Sequence, residues 1–295
     1  MNGLIVIDKP SGMTSRDAVN RVQTWFPRKT KIGHTGTLDP LATGVLVVCV
    51  GQATRLADYV QAMGKSYSSR FRLGATSTTD DADGEVTETP TSAVPTHEQM
   101  TAALNRFIGT IEQVPPAVSA LKLDGERAHD LVRRGKSVQL AARRVRIDAI
   151  RVLAYEWPWL DVEVDCGKGT YIRSIARDLG AALGAGGLVQ TLRRTRVGPF
   201  TAEQGIGLDV TPTNVKLRPM AEAVAGMERV RLDTDDIRRI RQGQRIRLLA
   251  GSAGRTTTEA TELALLTNAD ELLGIGIAEC GQIKPQLVFG TANGA

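Results

Sequence analysis

Residues 45–50 read Val-Leu-Val-Val-Cys-Val, an apolar run rich in β-branched side chains and free of any polar member. A run of that length and composition predicts a buried strand rather than a helix turn or a surface loop. Directly before it stand Gly33-His34-Thr35-Gly36-Thr37-Leu38-Asp39-Pro40-Leu41-Ala42-Thr43-Gly44, with three glycines, one imidazole, three hydroxyls and one carboxylate. Glycine lets backbone approach a ligand or take positive φ, and Pro40 biases Asp39 away from the helical region. The carboxylate is therefore constrained by its own backbone, on a loop that the buried strand supplies with a rigid floor. An active-site loop fits these residues; so does a surface Asp-Pro turn whose glycines serve chain geometry alone.

The totals narrow the class of protein. With 295 residues and 42% hydrophobic content the chain has room for two domains and an ordinary core. A surplus of 37 Lys and Arg over 32 Asp and Glu favours an anionic partner, so the placement of the arginines matters. Three scattered cysteines, Cys49, Cys166 and Cys280, fit a reducing compartment and exclude a disulfide scaffold. No apolar run reaches membrane-spanning length, so a cytoplasmic protein without membrane contact is expected.

Along the chain, residues 3–8 form a short apolar strand ending at the Lys9-Pro10-Ser11-Gly12 turn. Thr14 or Ser15 then caps a helix bearing Ala18, Val19, Val22 and Phe26, stopped near Pro27. The basic turn Arg28-Lys29-Thr30-Lys31 brings charge to the edge of the glycine-rich loop. Residues 54–63 have helical spacing, and residues 65–73 alternate so that Tyr67, Ser69, Phe71 and Leu73 share a face with Lys65 outside the run. Tyr67 then points inward, either as core or as an aromatic that meets a base. Residues 74–84 form a polar loop in which Asp80, Asp81 and Asp83 read as a solvated turn without a full calcium signature.

Residues 98–107 are helical by pattern, residues 119–122 suit an edge strand, residues 127–134 suit a helix, and residues 145–152 and 160–166 read as antiparallel neighbours. Thr170 is the natural cap of a further helix whose stripe is Ile172, Ile175, Ala176 and Leu179. Arg173 in its first turn opposes the helix dipole, so an anionic partner is expected, either phosphate or a carboxylate such as Asp39. Arg193-Arg194-Thr195-Arg196 forms a basic edge near the last strand of this domain. Residues 205–226 lose pattern and read as a linker, after which residues 230–289 hold five or six short strands, one helix at 235–240 and a hairpin tip at 256–261.

No dinucleotide fingerprint, P-loop, zinc pair or nucleophile elbow is present in the sequence. What remains is a constrained carboxylate with a histidine beside it, a strand tyrosine, an arginine at a helix start and several basic edges, a set that suits covalent or acid/base chemistry on a polyanion. Two readings from other classes compete: an RNA-binding scaffold without chemistry, and a metal-dependent hydrolase built on Asp80, Asp81 and Asp83.

Taken together, residues 33–46, 65–72, 119–122 and 168–173 resemble the bacterial TruB family, tRNA pseudouridine synthases that isomerise uridine 55 in the TΨC arm. The resemblance implies an α+β fold: a pseudouridine synthase catalytic domain with a central, mostly antiparallel mixed sheet over residues 1–226, then a small β-rich PUA-like RNA-binding domain over residues 227–295. It implies Asp39 as the catalytic nucleophile, Tyr67 as the aromatic stacked on the target base and Arg173 as the arginine paired bidentately with the aspartate. His34 would occupy the space of the flipped uridine, Tyr171 and Leu192 would line the pocket, and Lys9 with Pro10 would support the loop on the substrate-binding side. It implies no cofactor and no metal, the tRNA TΨC arm as partner, a monomer, and no obligate protein partner. The second domain is expected to add RNA affinity and no chemistry, with Arg238, Arg239, Arg241, Arg245 and Arg247 as phosphate contacts.

Overall fold

A computed structural model describes residues 1–290 apart from residues 92, 120, 124–125, 128–130, 132–133, 135–137, 139, 211–214 and 249–259. Most of the expected helix at 127–134 and of the hairpin tip at 256–261 lies outside the described residues. In the first part of the chain the strands are β1 (Gly3–Lys9), β2 (Ile32–His34), β3 (Thr43–Val50), β4 (Lys65–Leu73), β5 (Ala75–Ser77), β6 (Val86–Glu88) and β7 (Gly109–Gln113). They continue as β8 (Lys122–Leu123), β9 (Glu126–Arg127), β10 (Arg143–Glu156), β11 (Trp159–Cys166), β12 (Gly187–Val197) and β13 (Phe200–Thr201). Helices α1 (Ser15–Gln23), α2 (Ala57–Ala62), α3 (His97–Asn105) and α4 (Ile172–Ala182) accompany them. The main sheet runs β1-β3-β12-β4-β11-β10-β7, and its described pairs are antiparallel except β12 with β3. It is a mixed, mostly antiparallel sheet.

The second part holds β14 (Glu228–Arg231), α5 (Thr234–Arg241), β15 (Ile246–Arg247), β16 (Thr261–Leu266), β17 (Leu272–Glu279) and β18 (Gln282–Val288), in the order β14-β16-β17-β18-β15. This small sheet explains the unbroken apolar run of β3. Leu46, Val48 and Val50 pack into the core that carries α1 and α4, while Val45, Val47 and Cys49 pack with Ala264, Leu266, Leu272, Ile275 and Phe289 of the second sheet. A strand covered on both faces has no side left for polar alternation.

The expected linker is not a free connection. Ile206 exchanges backbone bonds with Val6 and Asp8, Arg218 pairs with Leu4, and the 3-10 turn Met220–Val224 buries Ala221, Ala223 and Val224 in the shared core. Side chains also cross between the two parts. Tyr59 donates to Glu262 at 3.2 Å, Arg55 donates to the Val288 carbonyl at 2.8 Å, and the same guanidinium lies 5.3 Å from the Phe289 ring centre.

Three further expectations change. Residues 32–34 form a strand on β3, so the loop begins after His34. Lys65 belongs to the inward face of β4, whose buried members are Lys65, Tyr67, Ser69, Phe71 and Leu73. The Arg193-Arg194 pair lies on β12 in the middle of the sheet, where β12 meets both β3 and β4, so it is no edge.

Gly44 shows how tightly that crossing is packed. It takes φ +97°, and a Cβ there would lie 2.2 Å from the Arg194 carbonyl oxygen. Gly44→Ala is therefore expected to destabilise the fold by about 2–4 kcal/mol through strain and overlap together. Urea unfolding checks this, and a loss below about 0.5 kcal/mol contradicts it.

Candidate active site

The Asp39 loop is held from several directions. Ser15, the first residue of α1, accepts from the Leu38 N–H at 2.8 Å and donates to the Leu38 carbonyl at 3.0 Å. Thr14 closes a capping box with Asp17, which fixes the start of α1 and with it Ser15. Lys9 is fully buried, and its ammonium donates to the carbonyls of Pro10, Met13 and Pro40. Gly12 N–H reaches the Pro40 carbonyl at 2.9 Å, and Ala42 N–H closes the turn on the Asp39 carbonyl at 3.1 Å. On the other side Arg194, 3% exposed, donates to the carbonyls of Val45, Gly36 and Thr37. The carboxylate is thus aimed by backbone that has little freedom to move.

Arg173 meets it from α4. The Nη2 atom lies 2.9 Å from Asp39 Oδ2 and the Nη1 atom 3.2 Å from Asp81 Oδ2, so the guanidinium bridges two carboxylates. It also donates to the carbonyls of Thr79 at 2.7 Å and Val118 at 3.0 Å. The contact to Asp39 is one arm of the fork, and the expected bidentate pair is corrected by the second arm going to Asp81. Asp81 itself is 3% exposed and receives bonds from Thr79 Oγ1 and the Asp83 N–H. It is no solvated turn residue. Asp80 is likewise engaged, 2.8 Å from Arg177 Nη1.

The cap of α4 also differs from expectation. The N-cap is Tyr171, whose side chain makes no capping bond, and Gln113 of β7 fixes its backbone, accepting from Tyr171 N–H at 2.8 Å and donating to its carbonyl at 3.1 Å. Thr170 instead donates to the Arg146 carbonyl. Local sequence favours Thr170 by residue type, but the helix begins one residue later, where a glutamine 58 positions away holds the backbone of Tyr171 because the sheet places it there.

These elements enclose a cleft of about 330 Å³ whose lining includes Asp39, Tyr67, Tyr171, Arg173, Leu192 and Arg194, with Lys65, Arg143 and Lys168 also on its wall. Asp39 keeps about a third of its side chain exposed (35%), while Arg173 behind it is 4% exposed. The enclosing walls desolvate the carboxyl and push it above the ordinary carboxylate range; Arg173 pulls it back and Asp81 adds to the rise. Burial likewise raises the Tyr67 hydroxyl against the opposing pull of Arg194, so the tyrosine presents a neutral ring. Burial lowers Lys9 and Lys65 to about 8 each.

Patterns that describe protein families match most of the chain. The TruB family pseudouridylate synthase N-terminal domain matches residues 24–172, the tRNA pseudouridylate synthase B C-terminal domain residues 173–211, and the pseudouridine synthase II TruB C-terminal region residues 229–289. A curated protein of Arthrobacter sp. (strain FB24), tRNA pseudouridine synthase B, is 41% identical over 99% of this chain and 98% of its own length. The chain belongs to the TruB family. A TruB relative of the same description from Mycobacterium sp. (strain KMS) is 49% identical over 73% of each chain. Among solved structures, an H/ACA RNP bound to a substrate RNA containing 2′-deoxyuridine aligns with TM-score 0.74 at 25% identity, covering 99% of this chain and 86% of that one. A Cbf5-Nop10-Gar1 complex gives 0.74 at 26%, covering 98% and 85%.

In this TruB chain the structure brings Asp39, Tyr67, Tyr171, Arg173 and Leu192 to one cleft. Lys9 lies behind the loop with no exposed surface, so it supports Asp39 and does not reach a substrate. His34 sits on β2 opposite Val48, outside the cleft lining. The sequence reading missed Asp81, Arg194 and Gln113. Asp81 had one usable signal, an acid flanked by Ser, Thr and Gly that can fold a turn around it; Arg194 had none, since its alternation on β12 looked like surface.

Proposed function

We propose that this TruB chain isomerises uridine 55 to pseudouridine in the TΨC arm of tRNA, with Asp39 as nucleophile, Arg173 as the cation that orients it, and Tyr67, Tyr171 and Leu192 as the pocket for the base. The observation that carries the reading is a partly exposed carboxylate held by a buried guanidinium on the same cleft as a buried tyrosine ring. A uridine within a folded arm hides its glycosidic bond, so the nucleotide is extruded, at a cost of a few kcal/mol in stacking. The ring face of Tyr67 and the apolar side chain of Leu192 replace part of that stacking, while the exposed Arg143 and Lys168 on the cleft wall suit backbone phosphates. The base detaches, turns and rejoins through C5, with Asp39 attacking C1′, attacking C6, or assisting a glycal; all three need it ionised.

The second domain, residues 227–295, is read as a PUA-like RNA-binding part that adds affinity. Of its arginines, Arg238 is paired with Asp235 at 3.0 Å, Arg239 donates to the Arg245 carbonyl and Arg245 reaches Gln282 Oε1 at 3.5 Å, which leaves Arg241 and Arg247 as better phosphate candidates. A monomer acting in the cytoplasm fits the reading. Among the described residues no helix is long and apolar enough to cross a membrane.

The test uses a tRNA transcript carrying [5-³H]uridine, because bonding through C5 expels the C5 hydrogen. Tritium release at position 55, absent when that position is cytidine, is expected; release independent of position 55 sinks the assignment. The same assay gives a pH dependence. Protonated Asp39 is no nucleophile, and its carboxyl is raised from 3.8, so kcat/KM, which reports the free enzyme, should fall on acidification with an inflection above 3.8. An inflection at or below that value contradicts the desolvated setting.

A further inference from the structure

One buried cation of the cleft has no role in the chemistry so far. Lys65 lies two residues before Tyr67 on the same inward face of β4, is 7% exposed and lines the cleft. Its ammonium donates to the carbonyls of Gln61 at 2.8 Å and Met63 at 2.7 Å, which leaves its third N–H, and among the described residues no carboxylate pairs with it. A buried ammonium without a counter-ion is costly, as its fall to about 8 through burial and nearby Arg194 records. The other cations of the lining are committed or peripheral. Arg173 bridges Asp39 and Asp81, and Arg194 holds three carbonyls. Arg143 and Lys168 are exposed, where phosphates stay solvated. Lys65 and Arg194 are both buried and short of an anion, but Arg194 is spent on three loop carbonyls, and Lys65 stands on the strand face that carries the aromatic for the base.

We propose that Lys65 is a catalytic residue that neutralises the negative charge placed on the uracil ring during isomerisation, by a charge-assisted hydrogen bond from its ammonium to a ring carbonyl oxygen. The assignment rests on the pseudouridine synthase reading. It holds for every route open to Asp39. If the C1′–N1 bond breaks first, its electron pair leaves on the ring as an anion spread over N1, O2 and O4; if Asp39 adds at C6, the charge collects on O4. C5 then bonds to C1′ with the ring's electron pair; an Asp39 oxygen bonded to C1′ or C6 leaves with its bonding pair as the carboxylate, or in the glycal route Asp39 returns the proton it took from C2′. The C5 hydrogen leaves as a proton and N1 takes one up, so nothing is oxidised or reduced. A cation fixed in a low-dielectric wall stabilises such developing charge more than water does.

The test compares the full chain with Lys65→Met, Lys65→Gln and Lys65→Arg in single turnovers at saturating tRNA, on uridine and on 5-fluorouridine at position 55. Consumption of the target nucleoside is followed throughout. Fluorine withdraws electrons and makes the ring anion less dependent on a cation. On uridine both uncharged variants should be about 100-fold slower with RNA affinity nearly unchanged, as for loss of one fixed donor to a developing anion. Lys65→Arg, which keeps the charge, should recover at least about tenfold of that loss, and the deficit of the uncharged variants should shrink by about tenfold on 5-fluorouridine. A support role predicts equal slowing on both substrates, and that result overturns the assignment. So does a defect confined to affinity that a methylphosphonate at the target nucleotide reproduces in the unaltered chain, which marks a phosphate contact. If all three variants fail to fold, Lys65 is a structural lysine and the assignment also falls. Tritium release by the unaltered chain reports on the synthase reading separately: its absence removes that reading, whereas its presence with unimpaired variants removes only the role of Lys65.

Discussion

Asp39→Asn should lower saturated turnover on a uridine-55 transcript by at least about 10,000-fold, because it removes the proposed nucleophile and, among the described residues, leaves no carboxylate within the cleft lining to replace it. The amide is nearly isosteric, and the loop around it is held by bonds that do not involve the side chain: Ser15 on Leu38, Lys9 on Pro40, and Arg194 on Gly36 and Thr37. Arg173 keeps its second carboxylate, Asp81, at 3.2 Å, so the buried guanidinium is not left without an anion. RNA affinity should therefore change by no more than about threefold. Turnover measured with the variant shown to be folded decides the matter, and retained turnover removes Asp39 from the chemistry.

Arg173→Lys should produce the second largest effect, a fall in saturated turnover of about 100-fold to 1,000-fold. An ammonium keeps the charge but cannot reach Asp39, Asp81 and the carbonyls of Thr79 and Val118 together, which the planar fork does at 2.7 to 3.2 Å. Loss of either anion partner leaves a carboxylate poorly matched. Asp81, with a side chain 5% exposed, suffers more than Asp39, so stability should also fall, by about 2–4 kcal/mol. Guanidinium-induced unfolding and saturation kinetics on the same preparation separate the two effects. Weakened RNA binding with saturated turnover intact would show instead that Arg173 serves a phosphate.

The alternative centred on Asp80, Asp81 and Asp83 is weakened by the same geometry. Arg173 occupies Asp81 and Arg177 occupies Asp80, and among the described residues no group of three His, Cys, Asp or Glu side chains is placed to hold a metal. Asp80 and Asp81 serve to anchor the arginines of α4. The second sheet has a similar double meaning. Expected as a separable affinity module, it instead shares a core with β1 and β3, so Val45, Val47 and Cys49 owe part of their burial to it. Deleting it would expose the back of the strand that supports the catalytic loop.

Much of the active site is legible in the chain because its residues are close in sequence or carry strong local geometry. The Asp-Pro pair, the glycines and the β-branched run announce a constrained carboxylate on a rigid strand, and period-two alternation turns Tyr67 inward. A first-turn arginine against the helix dipole signals a missing anion. By itself the sequence thus determined a loop, a strand tyrosine and an arginine in need of a carboxylate, together with the family to which they point. Tertiary structure decided which partners meet: Asp81 on the second arm of Arg173, Gln113 on the backbone of Tyr171 at the start of α4, Arg194 in the middle of the sheet and Lys65 in the cleft wall. None of these is a local property. A central strand and an exposed edge share the same two-residue period, and a side chain's charge partner depends on strand order and helix docking, which pattern along one chain does not encode.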